Sequence, residues 1–288
     1  MDYAIIVTLE MMRAVAWLVL LSSGLAIIFG MMRVINIAHG EFLMLGGYTV
    51  IMASKAGLNI WFAMLIVAPI VVGLFGILVE RLVIRWLYGR LLDSLLATWG
   101  LSLLMIGGVT VIFGNTVEGV STPLGGIPIG VYQVSAYNIV LILSAFLILI
   151  SVWAVLRYTS VGLIARSVMQ NPEMAEALGV NSKFVYMATF GIGSALTGLA
   201  GGLIAPVTGV VPSMGINLIG PAFITVITGG ASVVTGTLTA SGLLGSVDQL
   251  ITFGFGPVYG GAALLIAALI LLRILPQGIT GRFFSKKL

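Results

Sequence analysis

The sequence predicts an all-α polytopic membrane protein, and three observations support that prediction. Hydrophobic residues make up 60% of the 288 residues, charged residues only 8%, and the mean hydropathy is +1.21. Soluble domains carry about 25% charged residues, so this composition cannot supply a water-facing surface. Several apolar runs approach or exceed the roughly 20 residues that a helix needs to cross a membrane. These runs do not alternate as the strands of a membrane β-barrel do.

We expect a single transmembrane domain over residues 1–288, with about nine spans and a range of roughly eight to ten. The seventh expected span is short and polar and ends at Gly229 and Gly230. This pattern is typical of a broken helix or a re-entrant segment, which needs protein or water around it. In order, the expected spans are 14–31, 34–54, 59–80, 94–114, 136–156, 184–208, 217–229, 232–252 and 257–275.

The distribution of basic residues predicts the orientation of the chain. Loops rich in Lys and Arg tend to stay in the cytoplasm. One set of alternate loops, together with the C-terminal tail, holds eleven of the 13 basic residues, and only Arg13 and Lys55 fall on the other side. The loop 115–135 carries Glu118 but no Lys or Arg. We therefore expect an extracytoplasmic N-terminus, a cytoplasmic C-terminus and an extracytoplasmic loop 115–135.

The composition argues against several classes of function. The chain has no cysteine and one histidine, so we expect no disulfide, no metal site and no catalytic group. No phosphate-binding G-x-x-x-x-G-K-[ST] loop is present, so ATP is not expected to bind by that motif. The net charge of +4 comes from basic residues scattered over short loops, which does not indicate a nucleic-acid partner.

The stretch "RVINIAHGEFLMLGG" places His39 and Glu41 inside an apolar run. Ionisable residues within spans are costly, so their presence indicates a function. On a continuous helix the two side chains would point about 200° apart. Gly40, Gly46 and Gly47 predict a bend or local unwinding. Together with Asn36, the pair either lines a path or ties spans together at a broken helix, and we favour the tie.

The loop 166–183 contains a short predicted helix, 171–179, that cannot cross a membrane. Asn171 is a favourable N-cap, Pro172 suits the first helical position, and Glu173 complements the helix dipole. Gly179 provides a left-handed stop. Met174, Ala177 and Leu178 fall on one side, which is typical either of a peg that docks on another protein or of a connecting turn.

Five segments resemble the permeases of the branched-chain amino acid ABC transporter family. They fall in order along nearly the whole chain: "GLAIIFGMMRVINIAHGEFLMLGGYTV" (24–50), "SVMQNPEMAEALGV" (167–180), "FGIGSALTGLAGGL" (190–203), "ITGGASVVTGTLTASGLLG" (227–245) and "LPQGITGR" (275–282). One departure is Ala231–Ser232, which replaces a glycine region usual in this family.

The resemblance implies a multi-pass permease subunit of an ABC importer in a bacterial inner membrane, and not an enzyme. Its partners would be a second permease (a related chain or a copy), two cytoplasmic ATPases that hold ATP and Mg²⁺, and an extracytoplasmic binding protein. This chain itself would bind no cofactor. The helix 171–179 then becomes the ATPase coupling helix, with the residues Asn171, Pro172, Glu173, Met174, Glu176, Ala177, Leu178 and Gly179.

The resemblance also implies the cargo. Branched-chain amino acids are the expected substrate, and urea or short amides are the alternative. A secondary transporter or channel is the alternative from another class, but it needs more ionisable residues at the bilayer midplane. The expected residues of the path, or of its support, are Asn36, His39, Gly40, Glu41, Gly46, Gly47, Gly229 and Gly230.

Overall fold

A computed structural model describes residues 2–130, 132–230 and 232–284. All regular elements between residues 2 and 113 are helices, joined by short irregular segments. Helix α1 (Asp2–Met32) is followed by α2 (His39–Lys55), and a short helix α3 (Ile60–Phe62) continues through a π-helical turn (Ala63–Val67) into α4 (Ala68–Leu82). A 3₁₀ turn (Ile84–Leu87) leads to α5 (Leu91–Phe113).

A small β-hairpin opens the second half. Strands β1 (Gly126–Ile129) and β2 (Tyr132–Ser135) pair antiparallel, with Gly126 opposite Ser135. The sequence predicted only a loop there. The remaining elements are α6 (Tyr137–Tyr158), α7 (Ser160–Gln170), α8 (Pro172–Ala177), α9 (Ser182–Thr208), α10 (Met214–Gly229), α11 (Val233–Phe255), α12 (Pro257–Ile274) and α13 (Gly278–Phe284).

The all-α polytopic prediction is confirmed. Each expected span overlaps a helix, and six helical stretches of the described chain are long and apolar enough to cross a membrane by themselves. Helices α10 and α11 form a pair bent by 116°, which counts as a seventh span if the two are one broken crossing. Helix α2 has 17 residues and reaches about 25 Å, less than the roughly 30 Å of the hydrocarbon core.

The count is therefore lower than nine for two physical reasons. The expected seventh and eighth spans are the two arms of one bent pair, and the expected second span begins only at His39. The departure at Ala231 lies outside the described residues. So do Lys286 and Lys287, which contributed to the predicted orientation. The orientation remains a prediction.

The described residues form two compact units, each of which combines distant parts of the sequence. One comprises residues 23–121 and 150–219, and the other comprises residues within 1–22, 122–149 and 220–288. The single permease domain remains a prediction.

In the unit 23–121 and 150–219, helix α9 packs closely against α2 and α4. Ser194, Gly198 and Gly202 recur at every fourth position, a spacing that predicts close helix packing. A methyl group on Gly198 would come within 2.6 Å of Val72 Cβ, and one on Gly202 within 2.9 Å of Val50 Cγ2. The small residues therefore let the helices touch at their backbones, as the spacing predicts.

An aromatic cluster fills the centre of the same unit. Phe42 of α2 meets Phe75 of α4 edge-on, with ring centroids 5.4 Å apart and planes at 73°. It also meets Phe190 of α9 at 6.1 Å and 82°. Both contacts have the T-shaped geometry that aromatic pairs favour. They fix α2 between α4 and α9, the arrangement that positions the site described below.

In the unit that contains α11 and α12, the break before α11 is held by Thr280 of α13. Its hydroxyl donates to the Gly229 carbonyl at 2.6 Å and accepts from the Ser232 amide at 3.1 Å. Gly230 has a φ of +84°, which favours glycine at this position. A buried contact between Leu18, Leu244 and Leu264 forms the core of this unit.

Candidate functional site

The helical structure is interrupted before His39 and not at the glycines that follow it. Helix α1 ends at Met32, Arg33 has a φ of +52°, and residues 33–38 are irregular. From His39 to Lys55 the helix is continuous. The predicted bend or unwinding at Gly40, Gly46 and Gly47 is therefore wrong.

These glycines serve close packing instead. A methyl group on Gly40 would collide with the Gly215 carbonyl of α10, and one on Gly46 would collide with the Gly198 carbonyl of α9. A methyl group on Gly47 would come within 2.7 Å of Val210 Cγ2. The backbone of α2 thus approaches its neighbours at three points, and no space is left there for a larger side chain.

Thr98 of α5 supports the irregular segment before His39. Its hydroxyl oxygen accepts from the Ile37 amide at 3.1 Å and lies 3.2 Å from the Ile35 carbonyl. Thr98 is fully buried. Because backbone groups freed from a helix must find other partners inside a membrane protein, this one side chain stabilises the break. In the sequence, Thr98 is marked only as a hydroxyl residue in an apolar span, so its role was not predicted.

His39 and Glu41 are buried and face different helices. The His39 ring nitrogen Nδ1 lies 3.4 Å from the Thr197 hydroxyl of α9. The Glu41 carboxyl group hydrogen bonds with Ser102 of α5. The two side chains thus diverge, as their spacing on a helix requires, and each ties α2 to a different neighbour.

Two of these polar groups retain unused hydrogen-bonding capacity. Among the residues that the structure describes, Glu41 Oε2 has no hydrogen-bond partner, and neither side-chain amide atom of Asn36 has one. Asn36 is 0% exposed and Glu41 only 1%. Buried polar atoms are nearly always satisfied, so each exception requires an explanation. The Asn36 amide and Glu41 Oε2 can therefore still form hydrogen bonds with a solute or with water.

The described residues contain no group of three His, Asp or Glu side chains that could hold a metal ion. Gly229 and Gly230, the other residues expected along a path, lie at the break between α10 and α11 and are bound there as described above.

The predicted coupling helix forms with the predicted ends. The Asn171 side chain accepts from the Met174 amide at 3.0 Å, Pro172 is the first residue of α8, and Gly179 has a φ of +89°. Ser182 of α9 donates to the Pro172 carbonyl at 3.4 Å, which attaches α8 to the start of α9.

Two apolar side chains of this segment are uncovered. Met174 of α8 is 59% exposed and Leu178, the residue that follows α8, is 78% exposed, whereas Ala175 is buried. Glu173, Glu176 and Ala177 are exposed as well. Helix α7, which precedes α8, was not predicted.

A buried carboxylate near the end of α4 was also missed. Glu80 is fully buried, and it accepts from the Tyr88 hydroxyl at 2.5 Å and from Arg85 Nη2 at 3.3 Å. The Tyr88 ring lies 4.9 Å from the ring of Tyr186 in α9. Burial, together with the hydrogen bond to Glu80, raises the pKa of Tyr88, so its hydroxyl stays a donor. In the sequence, Glu80 directly precedes Arg81 at the expected end of a span, and no local pattern indicated that its carboxylate would be buried.

Comparison with known proteins decides the family. Residues 7–275 match the family described as "Branched-chain amino acid transport system / permease component". The chain belongs to this family. It is therefore a permease subunit of an ABC importer, a transport protein rather than an enzyme, and a multi-pass protein of the inner membrane. Membership implies separate ATPase and substrate-binding components.

The similarity to individual proteins extends over nearly the whole chain. The chain is 28% identical over 285 residues to the high-affinity branched-chain amino acid transport system permease protein BraD of Pseudomonas aeruginosa, with 91% of each chain covered. It is 26% identical over 281 residues to the permease protein LivH of Salmonella typhimurium, again with 91% of each covered. A solved structure, PsaBC from Streptococcus pneumoniae in complex with Fab, is similar with a TM-score of 0.49 and 13% identity over 97% and 94% of the two chains.

Proposed function

We propose that this permease moves branched-chain, hydrophobic amino acids into the cell by alternating access. The observation that supports this cargo is the family match over residues 7–275, together with relatives named as branched-chain amino acid permeases. The chain pairs with a second permease, either related or identical, and with two ATPases and an extracytoplasmic binding protein. It binds no cofactor, because ATP and Mg²⁺ are held by the ATPases.

Helix α8 is the proposed contact with the ATPase. Its capped ends hold a short rigid segment, and the exposed Met174 and Leu178 supply an apolar face for a groove on the partner. The Ser182–Pro172 hydrogen bond joins α8 to α9, which packs against α2 and α4. A displacement of α8 is thereby passed to the helices that carry Asn36, His39 and Glu41.

The buried polar residues have two proposed roles. His39 and the Ser102-bound side of Glu41 hold α2 between α9 and α5. The free amide of Asn36 and the free Glu41 oxygen offer transient polar contacts to a solute when the path opens. A weak site suits a permease whose affinity for substrate is supplied by a separate binding protein.

The cargo is tested by the ATPase activity of the reconstituted complex with its binding protein. Leucine and urea are compared as stimulants, because urea and short amides are the alternative cargo. Stimulation by leucine alone supports the proposal. Stimulation by urea alone assigns the chain to amide transport. Solute uptake that is independent of ATP would instead indicate a secondary transporter or channel.

A further inference from the structure

An irregular segment, residues 209–213, follows α9 and runs along α2 in the unit 23–121 and 150–219. Val210 is fully buried, and a methyl group on Gly47 of α2 would come within 2.7 Å of its Cγ2 atom. Helix α10 begins directly after the segment, and a methyl group on Gly215 would come within 2.8 Å of Glu41 Oε1. The segment therefore extends along α2 from Gly47 towards the buried carboxyl group of Glu41.

Glu118, in the loop 115–135, pairs with this segment through its backbone. The Glu118 amide donates to the Val210 carbonyl at 2.9 Å, and the Val210 amide donates to the Glu118 carbonyl at 2.7 Å. In the described part of the chain, these are the backbone hydrogen bonds that join residues 209–213 to an element other than the helices on either side of them. Gly209, with a φ of +66°, permits the approach, because a methyl group on it would come within 2.8 Å of Val117 Cγ1.

The Glu118 side chain joins the same loop to the end of α2. Its Oε2 atom lies 2.5 Å from Nζ of Lys55, the last residue of α2. Lys55 is one of only two basic residues on the predicted extracytoplasmic side, so the charge bias that predicts the orientation does not account for it. The Lys55 side chain is 53% exposed and that of Glu118 26%. Exposed ion pairs contribute little to folding stability, so this one can break and re-form while the fold persists.

We propose that residues 209–213 are the extracytoplasmic gate of the transport path and that Glu118 is its latch. The ion pair with Lys55 holds Glu118 in place, and Glu118 in turn holds Val210 against α2. When the ion pair breaks, the segment moves off α2 and the path beside Glu41 opens to the extracytoplasmic side. A weak latch suits a gate that must open in every transport cycle. This inference rests on the proposed function, which places the path at Glu41, and on the predicted orientation.

The reaction rate of one buried thiol tests the gate in right-side-out membrane vesicles that contain the whole transport complex. The chain has no cysteine, so Ser102→Cys introduces the only thiol of this subunit. Ser102 is 5% exposed and hydrogen bonds with Glu41, so it reports on the path. A small membrane-impermeant thiosulfonate is added outside without nucleotide or substrate. Mass spectrometry of this subunit follows the modification, so that thiols of the partners do not interfere.

We expect slow modification of Ser102→Cys alone. Adding Glu118→Gln or Lys55→Met should accelerate it about two- to fivefold, because the loss of an exposed ion pair shifts an equilibrium by roughly that factor. The double change should be no faster than either single change, since both remove the same ion pair. Arg90→Gln is the control. Arg90 forms an exposed ion pair with Asp93 at 2.6 Å within the first turn of α5, so its loss separates no elements and should leave the rate unchanged.

An unchanged rate in Glu118→Gln and Lys55→Met would overturn the proposal. Fast modification of Ser102→Cys alone would also overturn it, because the segment would then shield nothing. Additive acceleration in the double variant, or equal acceleration by Arg90→Gln, would show that the Lys55–Glu118 pair is not a latch.

The test separates failure of the gate from failure of the proposed cargo. None of the rates requires leucine or ATP, so a different cargo would leave them as expected while leucine failed to stimulate the ATPase. If the gate is wrong, the rates are equal and stimulation by leucine persists.

Discussion

The contacts of His39 favour a structural role for this buried side chain over the recognition of a solute. Its ring contacts Thr197 of α9, and it is 0% exposed. Removal of one partner from a buried polar contact leaves the other without compensation, which costs about 1–3 kcal/mol. A residue held in this way contributes to the packing of α2 more directly than to the recognition of a solute.

We therefore expect His39→Ala to lower the thermal unfolding midpoint of the complex by several degrees, with a less than about twofold change in its apparent affinity for the loaded binding protein. Thermal unfolding and the concentration dependence of ATPase stimulation measure the two effects. A variant of unchanged stability but altered substrate preference would show that His39 reads the substrate.

Tyr88 provides a second test at the residue scale. Its hydroxyl donates to the fully buried Glu80 carboxylate, and hydrogen bonds to charged groups contribute about 1.5–3 kcal/mol. Tyr88→Phe should therefore destabilise the protein by about that amount in denaturant or thermal unfolding. Tyr186→Phe keeps its ring contact with Tyr88 and is the matched control. An equal loss in both variants would mean that the hydrogen bond to Glu80 is not the cause.

The sequence identified only part of the candidate site, for a physical reason. His39 and Glu41 were found because charge within an apolar run is conspicuous. Thr98 and Ser102 were missed because hydroxyl groups are common in spans, where they usually bond to the preceding turn of their own helix. Their contacts with Ile35, Ile37 and Glu41 join residues about 60 positions apart, which no local pattern reveals.

At the level of the helices, glycine residues make the close packing of α2 against α9 possible. A methyl group on Gly46 would collide with the Gly198 carbonyl, whereas one on Gly107 of α5 would meet nothing within 4 Å. Gly46→Ala should therefore destabilise the protein by about 1–3 kcal/mol through overpacking.

Gly107→Ala is the control for this substitution, since it adds the same methyl group to a helix without a collision. It should leave stability unchanged or raise it by up to about 1 kcal/mol, because alanine is the better helix former. Thermal unfolding of both variants measures the difference. Equal behaviour would show that α2 and α9 separate readily and that their contact is not tight.

The positions of the long helices could be predicted from hydropathy, but their breaks could not. Gly40, Gly46 and Gly47 predicted an unwound helix, because glycine lowers helix stability in isolation. In the folded chain the same residues permit backbone contact, which outweighs that local cost. Helix α7 was missed although Val161, Ile164, Ala165 and Val168 follow the i, i+3, i+4, i+7 spacing of an amphipathic helix. The hairpin was missed because its strands have four residues each.

For the whole molecule, the distribution of basic residues predicts the orientation in the membrane, which the fold alone does not test. The N-terminus should be extracytoplasmic and the C-terminus cytoplasmic. Because the chain has no cysteine, single thiols can be introduced at Thr116 and Gln170, both of which are exposed. In right-side-out membrane vesicles, an impermeant maleimide should label Thr116→Cys directly and Gln170→Cys only after lysis. The reverse pattern would invert the topology.

In the proposed function, α8 connects the partner ATPase to transport. This connection is tested most directly by replacing Glu173–Leu178 with a Gly/Ser linker and measuring ATPase co-purification together with ATP-driven leucine uptake in proteoliposomes. Co-purification and uptake should both be lost, because the exposed Met174 and Leu178 and the capped helix that presents them are removed. Membrane insertion should be unchanged. Normal ATPase binding and normal uptake by the linker variant would show that α8 does not couple the ATPase to transport.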